Sequence, residues 1–487
     1  MKKTILFIAL TLFTACYHGK PIKVLPEAKA VPVRTLFIAL DGIDHKLMKE
    51  LKDEGHFRAF YSPIPLISTF PSATTIGFTG IYQPLKVGKV AGYEARFYSH
   101  QENKIMGGTP LDVYKTPIKY KYYFDSFRHT MQEKSVMYLF PSMASKQDLV
   151  STQNVLFAND KNILMTYLGG TDGSAHILGR GRTKRTLIFM DQFLNRLVRK
   201  YYQERNERLR IILFSDHGFK YTNLKLVSNK AITKGLEAAG FRSSTKIDDD
   251  NDIVFVKFGM ISGGVAFANK KNRKEMANII RKVDGMDLVF WHNDNERKVF
   301  IHSTDGKQAY FEYRGKKLYR YVNVSGDPLN YLPTLNKLGY DSKTWLKDKT
   351  WKQITHDHHY PDAGYRLFDG FFHLVKNNAG IMFSLKGNYQ FGSTAAYVGT
   401  FSRIGQRGTH GALFKQASYA FAMTNMHQSK NPPSFLRYDE LFPHYIPDVT
   451  QAYKKQKKGK PDFVSLEISH ESFETKLLGL EMLLLGE

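Results

Sequence analysis

Hydrophobic and polar positions along the chain fall into short apolar runs that alternate with helical patterns. TLFIAL (35–40), ILMTYL (163–168) and RIILFS (210–215) are apolar stretches closed by turn signals, the pattern of strands buried on both faces. Between the last two, TLIFMDQFLNRLVRKYYQE (186–204) spaces its apolar residues helically and leaves a basic face for solvent. Strand, helix and strand in that order imply a parallel pair joined by a right-handed crossover. The expectation is an α/β core with helices on both faces of a largely parallel sheet.

Near residue 245 the texture changes. IDDDND is a polar turn cluster, followed by SGGVAFAN, a helix near 271–284 and the strand DLVFWH at 287–292. KVFIHSTDGKQAYFEYRGKKLYRYVNV then reads as hairpin strands turning at TDG. Residues 242–345 are expected to form a smaller α+β insertion, with core texture resuming at AGIMFSL (379–385). The resulting partition is a leader (1–16), a spacer (17–33), a first core part (34–241), the insertion, and a second core part (346–450). A basic tail and a terminal helix ending KLLGLEMLLLGE complete it (451–487).

The run LFIAL occurs twice, at 6–10 and 36–40. The flanks separate the two copies. The first follows Met1-Lys2-Lys3 and leads to Thr14-Ala15-Cys16, the layout of a secretory leader. It falls short of the roughly 20 apolar residues that span a bilayer. Its end resembles a bacterial lipoprotein signal, which implies lipidation of Cys16. The chain would then be an exported, membrane-anchored lipoprotein facing the periplasm or the cell exterior. The plainer alternative is an ordinary cleaved leader with an incidental cysteine. Cys16 is the only cysteine, so the mature chain is expected to carry no disulfide.

Composition narrows the class. Of 487 residues, 42% are hydrophobic and 14% aromatic, which excludes a disordered chain. The net charge is +25, and removing Lys2 and Lys3 leaves 25 − 2 = +23. That balance favours anionic surroundings, whether phosphate-bearing substrates, acidic lipids or polyanions. No specific nucleic-acid partner is expected. The lysine run at 454–460 reads as a solvated linker, with a lipid head-group contact as the alternative.

Chemistry collects where the core strands end. TLFIAL is followed by Asp41-Gly42, ILMTYL by Gly-Gly and then Thr171-Asp172-Gly173-Ser174-Ala175-His176, and RIILFS by Asp216-His217-Gly218. Ligands of open parallel sheets bind beyond these carboxyl ends. Each acid alone fits a turn or a helix cap equally well. Together the carboxylates and imidazoles suit zinc or a similar divalent ion. Asp172 and His176 are four apart and share a side of one helical turn. Between the first two strands, Ser68-Thr69-Phe70-Pro71-Ser72-Ala73-Thr74-Thr75-Ile76-Gly77 reads as a helix start. It is either a plain N-cap or a threonine hydroxyl set at a helix N-terminus, where an anion is favoured and a metal would activate the oxygen.

DGID (41–44), FPSATT (70–75), GGTDGSAH (169–176), SDHGF (215–219) and RGTHG (407–411), in that order, resemble the alkaline phosphatase superfamily, in its type I phosphodiesterase and nucleotide pyrophosphatase branch. YPDAGYR (360–366) and LRYDELFP (436–443) have looser counterparts there. The resemblance implies a three-layer α/β/α core with two divalent metal ions, zinc by preference. Asp41, Asp216, His217 and the Thr74 oxygen would hold one ion; Asp172, His176 and His410 would hold the other. Thr74 aligns with the nucleophile, with Thr75 as the alternative. His410 is promoted by the resemblance alone. The implied reaction is cleavage of a phosphodiester, pyrophosphate or phosphomonoester bond through a phosphothreonine.

Two departures bear on specificity. The helix after the nucleophile begins Thr75-Ile76-Gly77-Phe78-Thr79-Gly80 and lacks the asparagine usual in nucleotide pyrophosphatases. No C/S-x-P-x-R motif accompanies it, which argues against a sulfatase. Arg403 and Arg407 are candidate phosphate contacts beside His410. The histidines at 356, 358 and 359 read as a polar rim loop. Two other readings stay open: a catalytically silent envelope protein that binds anionic polymers, and a phosphoryl transferase in envelope remodelling.

Overall fold

The computed structural model describes residues 32–107, 124–126, 137–257, 259–293, 297–315, 317–392, 405–426 and 432–447. The leader with Cys16, Arg403 and the tail and helix expected over 451–487 lie outside these residues.

The run that follows the spacer forms strand β1 (Val33–Leu40), every residue of which is buried except Val33. A continuous apolar run has no solvent face to offer, so it must sit inside a sheet covered on both sides. It pairs in parallel with β3 (Ile163–Leu168) on one side and β4 (Arg208–Phe214) on the other. β2 (Ile64–Ile67), β5 (Tyr419–Thr424) and β6 (Leu436–Arg437) complete a six-stranded sheet of order β6-β2-β5-β4-β1-β3. The ladders β2–β5 and β5–β4 are antiparallel, so the sheet is mixed around a parallel trio.

Helices cover both faces. Helix α1 (His45–Asp53) begins at Asp44, whose side chain accepts a bond from the Leu47 amide at 2.9 Å, a cap contributing roughly 1 kcal/mol. Its Leu47, Met48 and Leu51 pack with Leu149 and Leu156 of α3 (Pro141–Ala158) and with Leu187, Met190 and Leu194 of α4 (Gly179–Arg205) against Leu36, Ile38 and Leu40 of β1. α4 begins seven residues ahead of the apolar pattern. The polar turn GRGRTKR has no apolar spacing to announce it, yet it continues the same helix. On the opposite face, α2 (Thr74–Ile81) sets Phe78 edge-on to Tyr167 of β3 at 5.7 Å, while Phe37 of β1 meets Phe442 at 5.2 Å. The result is a three-layer α/β/α core.

The expected boundary of the α+β region moves. A nine-stranded sheet runs through Arg242–Ser244, Asp252–Val256, Gly263–Ala268, Met286–Asn293, Lys298–Ser303, Gln308–Tyr313, Leu318–Ser325 and Leu346–Lys347. It also contains Ile381–Leu385, placed between Met286–Asn293 and Gly263–Ala268 and antiparallel to both. AGIMFSL therefore does not return the chain to the first sheet, and the α+β region does not close at 345. An apolar run reports burial, and Ile381, Met382 and Phe383 are fully buried, but it does not report which sheet buries it.

The two sheets share a core at the helix-start segment. Phe70, Ala73 and Ile76 pack in one cluster with Phe267, Phe290 and Phe311 of the second sheet and with Leu367 and Phe371 of α5 (Ala363–Phe372).

Candidate active site

β1 ends at Leu40 and delivers Asp41 to the carboxyl edge of the sheet. Gly42 follows with φ +69°, and a Cβ there would sit 2.6 Å from Asp172 Oδ1. Only glycine allows both the left-handed turn and that close approach. β3 ends at Leu168 and leads to a single turn, Gly170–Gly173, then a π-helical turn, Ser174–Leu178. This winding brings His176 Nε2 to 3.3 Å from Asp172 Oδ1. β4 ends at Phe214 and presents Asp216 and His217, both fully buried.

α2 has no side-chain cap. Ala73 occupies the N-cap position, while the hydroxyls expected to cap bond elsewhere: Ser68 to the Asp216 carbonyl at 2.6 Å and Ser72 to the Thr69 carbonyl at 2.9 Å. Thr74 is thus the first helical residue. Its Oγ1 lies 3.3 Å from Asp41 Oδ1 and 3.4 Å from His217 Nε2. These contacts belong to Thr74 and not to Thr75.

His410 arrives from the far end of the sequence, after Gly408–Thr409 pairs with Lys220–Tyr221. Its ring stacks on His217 with centroids 3.8 Å apart and lies 5.2 Å from the ring of His176. Donor atoms of Asp172, His176 and His410 lie within 4.8 Å of one another, as do those of Asp41, Asp172 and His217. Asp172 belongs to both trios. Asp216 stands beside the second, its Oδ2 3.4 Å from His217 Nε2, and its Oδ1 accepts the Gly42 amide at 3.3 Å.

The donor set fits divalent metal. The Nδ1 atoms of His217 and His410 stand 3.0 and 2.8 Å from the Gly218 and Ser72 carbonyls, while His176 Nδ1 meets both the Gly408 carbonyl at 3.1 Å and the Gln406 side-chain amide at 2.7 Å. An Nδ1–H that donates to a carbonyl leaves Nε2 as the lone-pair nitrogen, the arrangement of metal-bound histidines. The carboxylate atoms Asp172 Oδ1 and Asp216 Oδ2 are buried without a hydrogen bond, although imidazole nitrogens stand at 3.3 and 3.4 Å. Buried acceptors left unpaired are costly, and a cation between the trios would satisfy them.

Electrostatics agree. Burial pushes Asp216 well above the ordinary carboxylate range, and the charge of Asp41 adds to it. Burial would lower His217, but Asp216 and Asp41 outweigh it and push the imidazole up to about 10. Burial also opposes ionisation of Asp172, yet His176 beside it holds the carboxyl below its usual range. His410 is driven well below its usual value, first by burial and then by the charge of His217. The pull of three carboxylates that raises His217 is the pull a divalent cation would feel.

The Type I phosphodiesterase / nucleotide pyrophosphatase family matches residues 91–328 of the chain. The chain is similar to that family over this stretch. The matched stretch holds Asp172, His176, Asp216 and His217; the fold gathers Asp41, Thr74 and His410 to it from outside. No curated protein matches the chain. Among solved structures it is similar to murine ectonucleotide pyrophosphatase / phosphodiesterase 5, at 10% identity over 85% of this chain and 95% of that one, with a TM-score of 0.42. The human counterpart gives 11% identity, 85% and 93% coverage and a TM-score of 0.45. Phosphonoacetate hydrolase from Sinorhizobium meliloti 1021, in complex with phosphonoformate, gives 12% identity, 86% and 96% coverage and a TM-score of 0.46.

Three further residues brace the site, and of these only Arg366 stands in a motif singled out from the sequence. The Tyr167 hydroxyl donates to Asp41 Oδ2, and the Tyr138 hydroxyl donates to Asp172 Oδ2 at 3.2 Å. Both orient a carboxylate. Tyr167 reads in sequence only as one more apolar strand position. Arg366, in YPDAGYR, is fully buried and clamps the segment before Thr74. It donates to the Thr69 carbonyl at 3.0 Å and to Ser72 Oγ at 3.0 Å, and to the Leu413 carbonyl beyond His410 at 2.9 Å. The side-chain stem of Arg407 lies against Gly179, and its amide bonds the His176 carbonyl at 2.7 Å.

Proposed function

We propose that the chain is a divalent-metal-dependent phosphohydrolase in which Thr74 is the nucleophile. The observation that carries this reading is the position of one hydroxyl. Thr74 Oγ1 stands at an uncapped helix N-terminus, 3.3 Å from Asp41 Oδ1 and 3.4 Å from His217 Nε2. The two trios of metal-binding type meet beside it at Asp172.

Asp41, Asp216, His217 and Thr74 would hold one ion, and Asp172, His176 and His410 the other, with Asp172 close enough to Asp41 and His217 to serve both positions. Bound there, a pair of divalent ions would neutralise phosphoryl charge and activate oxygen nucleophiles at neutral pH. The remaining roles fall to the chain's own groups. Thr74 Oγ forms a bond to phosphorus as the bond to the leaving oxygen breaks, and its proton passes toward Asp41 Oδ1. The free amides at the start of α2 and the helix dipole stabilise the phosphoryl oxygens. Arg366 and the Nδ1-bound carbonyls hold hydroxyl and imidazoles in place. Water then breaks the threonyl–phosphate bond, restoring the hydroxyl and releasing the phosphoryl group.

The substrate on this reading is a phosphate-containing small molecule, met outside the cytoplasm by a chain anchored through Cys16. The test is hydrolysis of an aryl phosphodiester and an aryl phosphomonoester by the full chain, before and after chelation and after zinc is returned. Activity that disappears with chelator, returns with zinc and is absent in Thr74→Ala supports the proposal. Undiminished turnover by Thr74→Ala would sink it.

A further inference from the structure

An open cleft adjoins the proposed nucleophile. Its floor includes Pro71 and Ala73, the residue before Thr74, and Gly263. A Cβ on Gly263 would lie 2.7 Å from the carbonyl of Gly411, next to His410, so the cleft opens directly beside the two segments that carry the site. Its lining is largely apolar and includes Phe97 and Phe391.

Two cations break that apolar lining. Arg96 and Lys257 both line the cleft, and burial, then the charge of Arg96, lowers the Lys257 ammonium below its ordinary value. Among the described residues neither forms an ion pair. The one acid in the lining, Glu94, accepts the Gly259 amide within the cleft at 2.8 Å, and burial raises its carboxyl above its ordinary value. Two like charges on one largely apolar lining oppose each other, and an anion bound in the cleft would relieve that. Such a pair beside aromatic walls is the makeup of a site for an amphipathic anion.

We propose that this cleft receives the departing half of the phosphoester and selects a leaving group with an apolar body and a terminal anionic group that reaches Arg96 and Lys257. The inference rests on the phosphohydrolase reading and adds the substrate class to it. Phe97 and Phe391 bury the body, and the two cations pair with the tail. Ala73, in the lining, immediately precedes Thr74, so a phosphorus at the Thr74 hydroxyl would stand next to the cleft. A leaving group without the negative tail uses the walls alone.

The test uses two aryl methyl phosphodiesters matched in leaving-group acidity, one with a carboxylate-ended arm on the ring and one with the neutral carboxamide. The zinc-loaded full chain should favour the carboxylate by about tenfold or more in kcat/KM, the scale of a charge-assisted contact. That ratio should fall toward one in the Arg96→Gln, Lys257→Gln double variant and be recovered by Arg96→Lys, Lys257→Arg. Unchanged melting temperature shows that the variants fold. Cleavage of both esters without preference overturns the cleft assignment and leaves the phosphohydrolase reading standing. If neither ester is cleaved, equilibrium binding of the two matching aryl methylphosphonates decides. Carboxylate preference that the double variant lacks supports the cleft on its own, and equal binding overturns it.

Discussion

Two regions of this molecule bury charge, and they do so in opposite ways. Around α5, Arg437 lies between two carboxylates. Its Nε meets Asp362 Oδ2 at 2.6 Å, and its two terminal nitrogens form a fork on Asp348 at 3.0 and 2.8 Å. Arg366 lies close by, its guanidinium spread over carbonyls and hydroxyls. Charge is answered there by charge from within the chain. At the carboxyl edge of the first sheet, Asp41, Asp172 and Asp216 converge, and among the described residues no arginine or lysine hydrogen-bonds to any of them. The first arrangement is a finished structural network. The second has acceptors aimed at a common point and asks for a cation from outside. Both regions bury carboxylates, so burial alone does not mark a site; the lack, among the described residues, of an arginine or lysine partner does.

The strongest way to sharpen that contrast is chemical. Thr74→Ala should lower kcat/KM by about 10³-fold or more while leaving the melting temperature nearly unchanged, because the hydroxyl proposed as nucleophile is removed. A matched assay and melting scan on the purified full chain check this.

Breaking the internal network should cost stability instead. Asp362→Ala strands Arg437, which is 3% exposed, and should destabilise the fold by about 3–5 kcal/mol in a denaturant titration. A loss below about 1 kcal/mol would show that Asp348 alone satisfies the guanidinium.

The corresponding change at the sheet edge should behave the other way. Asp216→Asn removes one of three crowded carboxylates. The metal-free protein should be no less stable than the parent, while bound zinc measured by elemental analysis falls. A destabilised metal-free variant would place this acid in the structural class.

The smallest effect concerns His302, buried in the second sheet with Nδ1 unpaired. Burial, and then Arg281 and Lys274, lower it from 6.5 to about 4. Between those values the unfolded chain holds the proton and the folded chain does not. Stability should therefore fall as pH drops from about 6.5 to about 4, and His302→Gln should flatten that slope. Denaturant midpoints at four or five pH values measure it.

Much of this was legible in the residues. β1, β3 and β4 declare themselves because a strand buried on both faces must be continuously apolar, and the acids that follow them mark the edge where ligands bind. Asp172 and His176 pair as their spacing implies, although through a π-helical turn. Other features lie beyond local pattern. Ile381–Leu385 has the composition of a buried strand in either sheet, and only long-range pairing assigns it. His410 stands far along the chain from its neighbours, in a short RGTHG that nothing local distinguishes from a turn. Tyr138, Tyr167 and Arg366 act on residues remote in sequence, and their chemistry exists only once the chain has folded.

The central claim is that the seven side chains meet around paired cations, with Asp172 common to both positions. Metal-free full-length protein, dialysed to equilibrium against zinc and analysed for zinc per chain, tests it most directly. The account predicts about two ions per chain, with Asp172→Asn losing affinity at both positions. One ion or none in the parent chain, or two ions bound undiminished by Asp172→Asn, would contradict it.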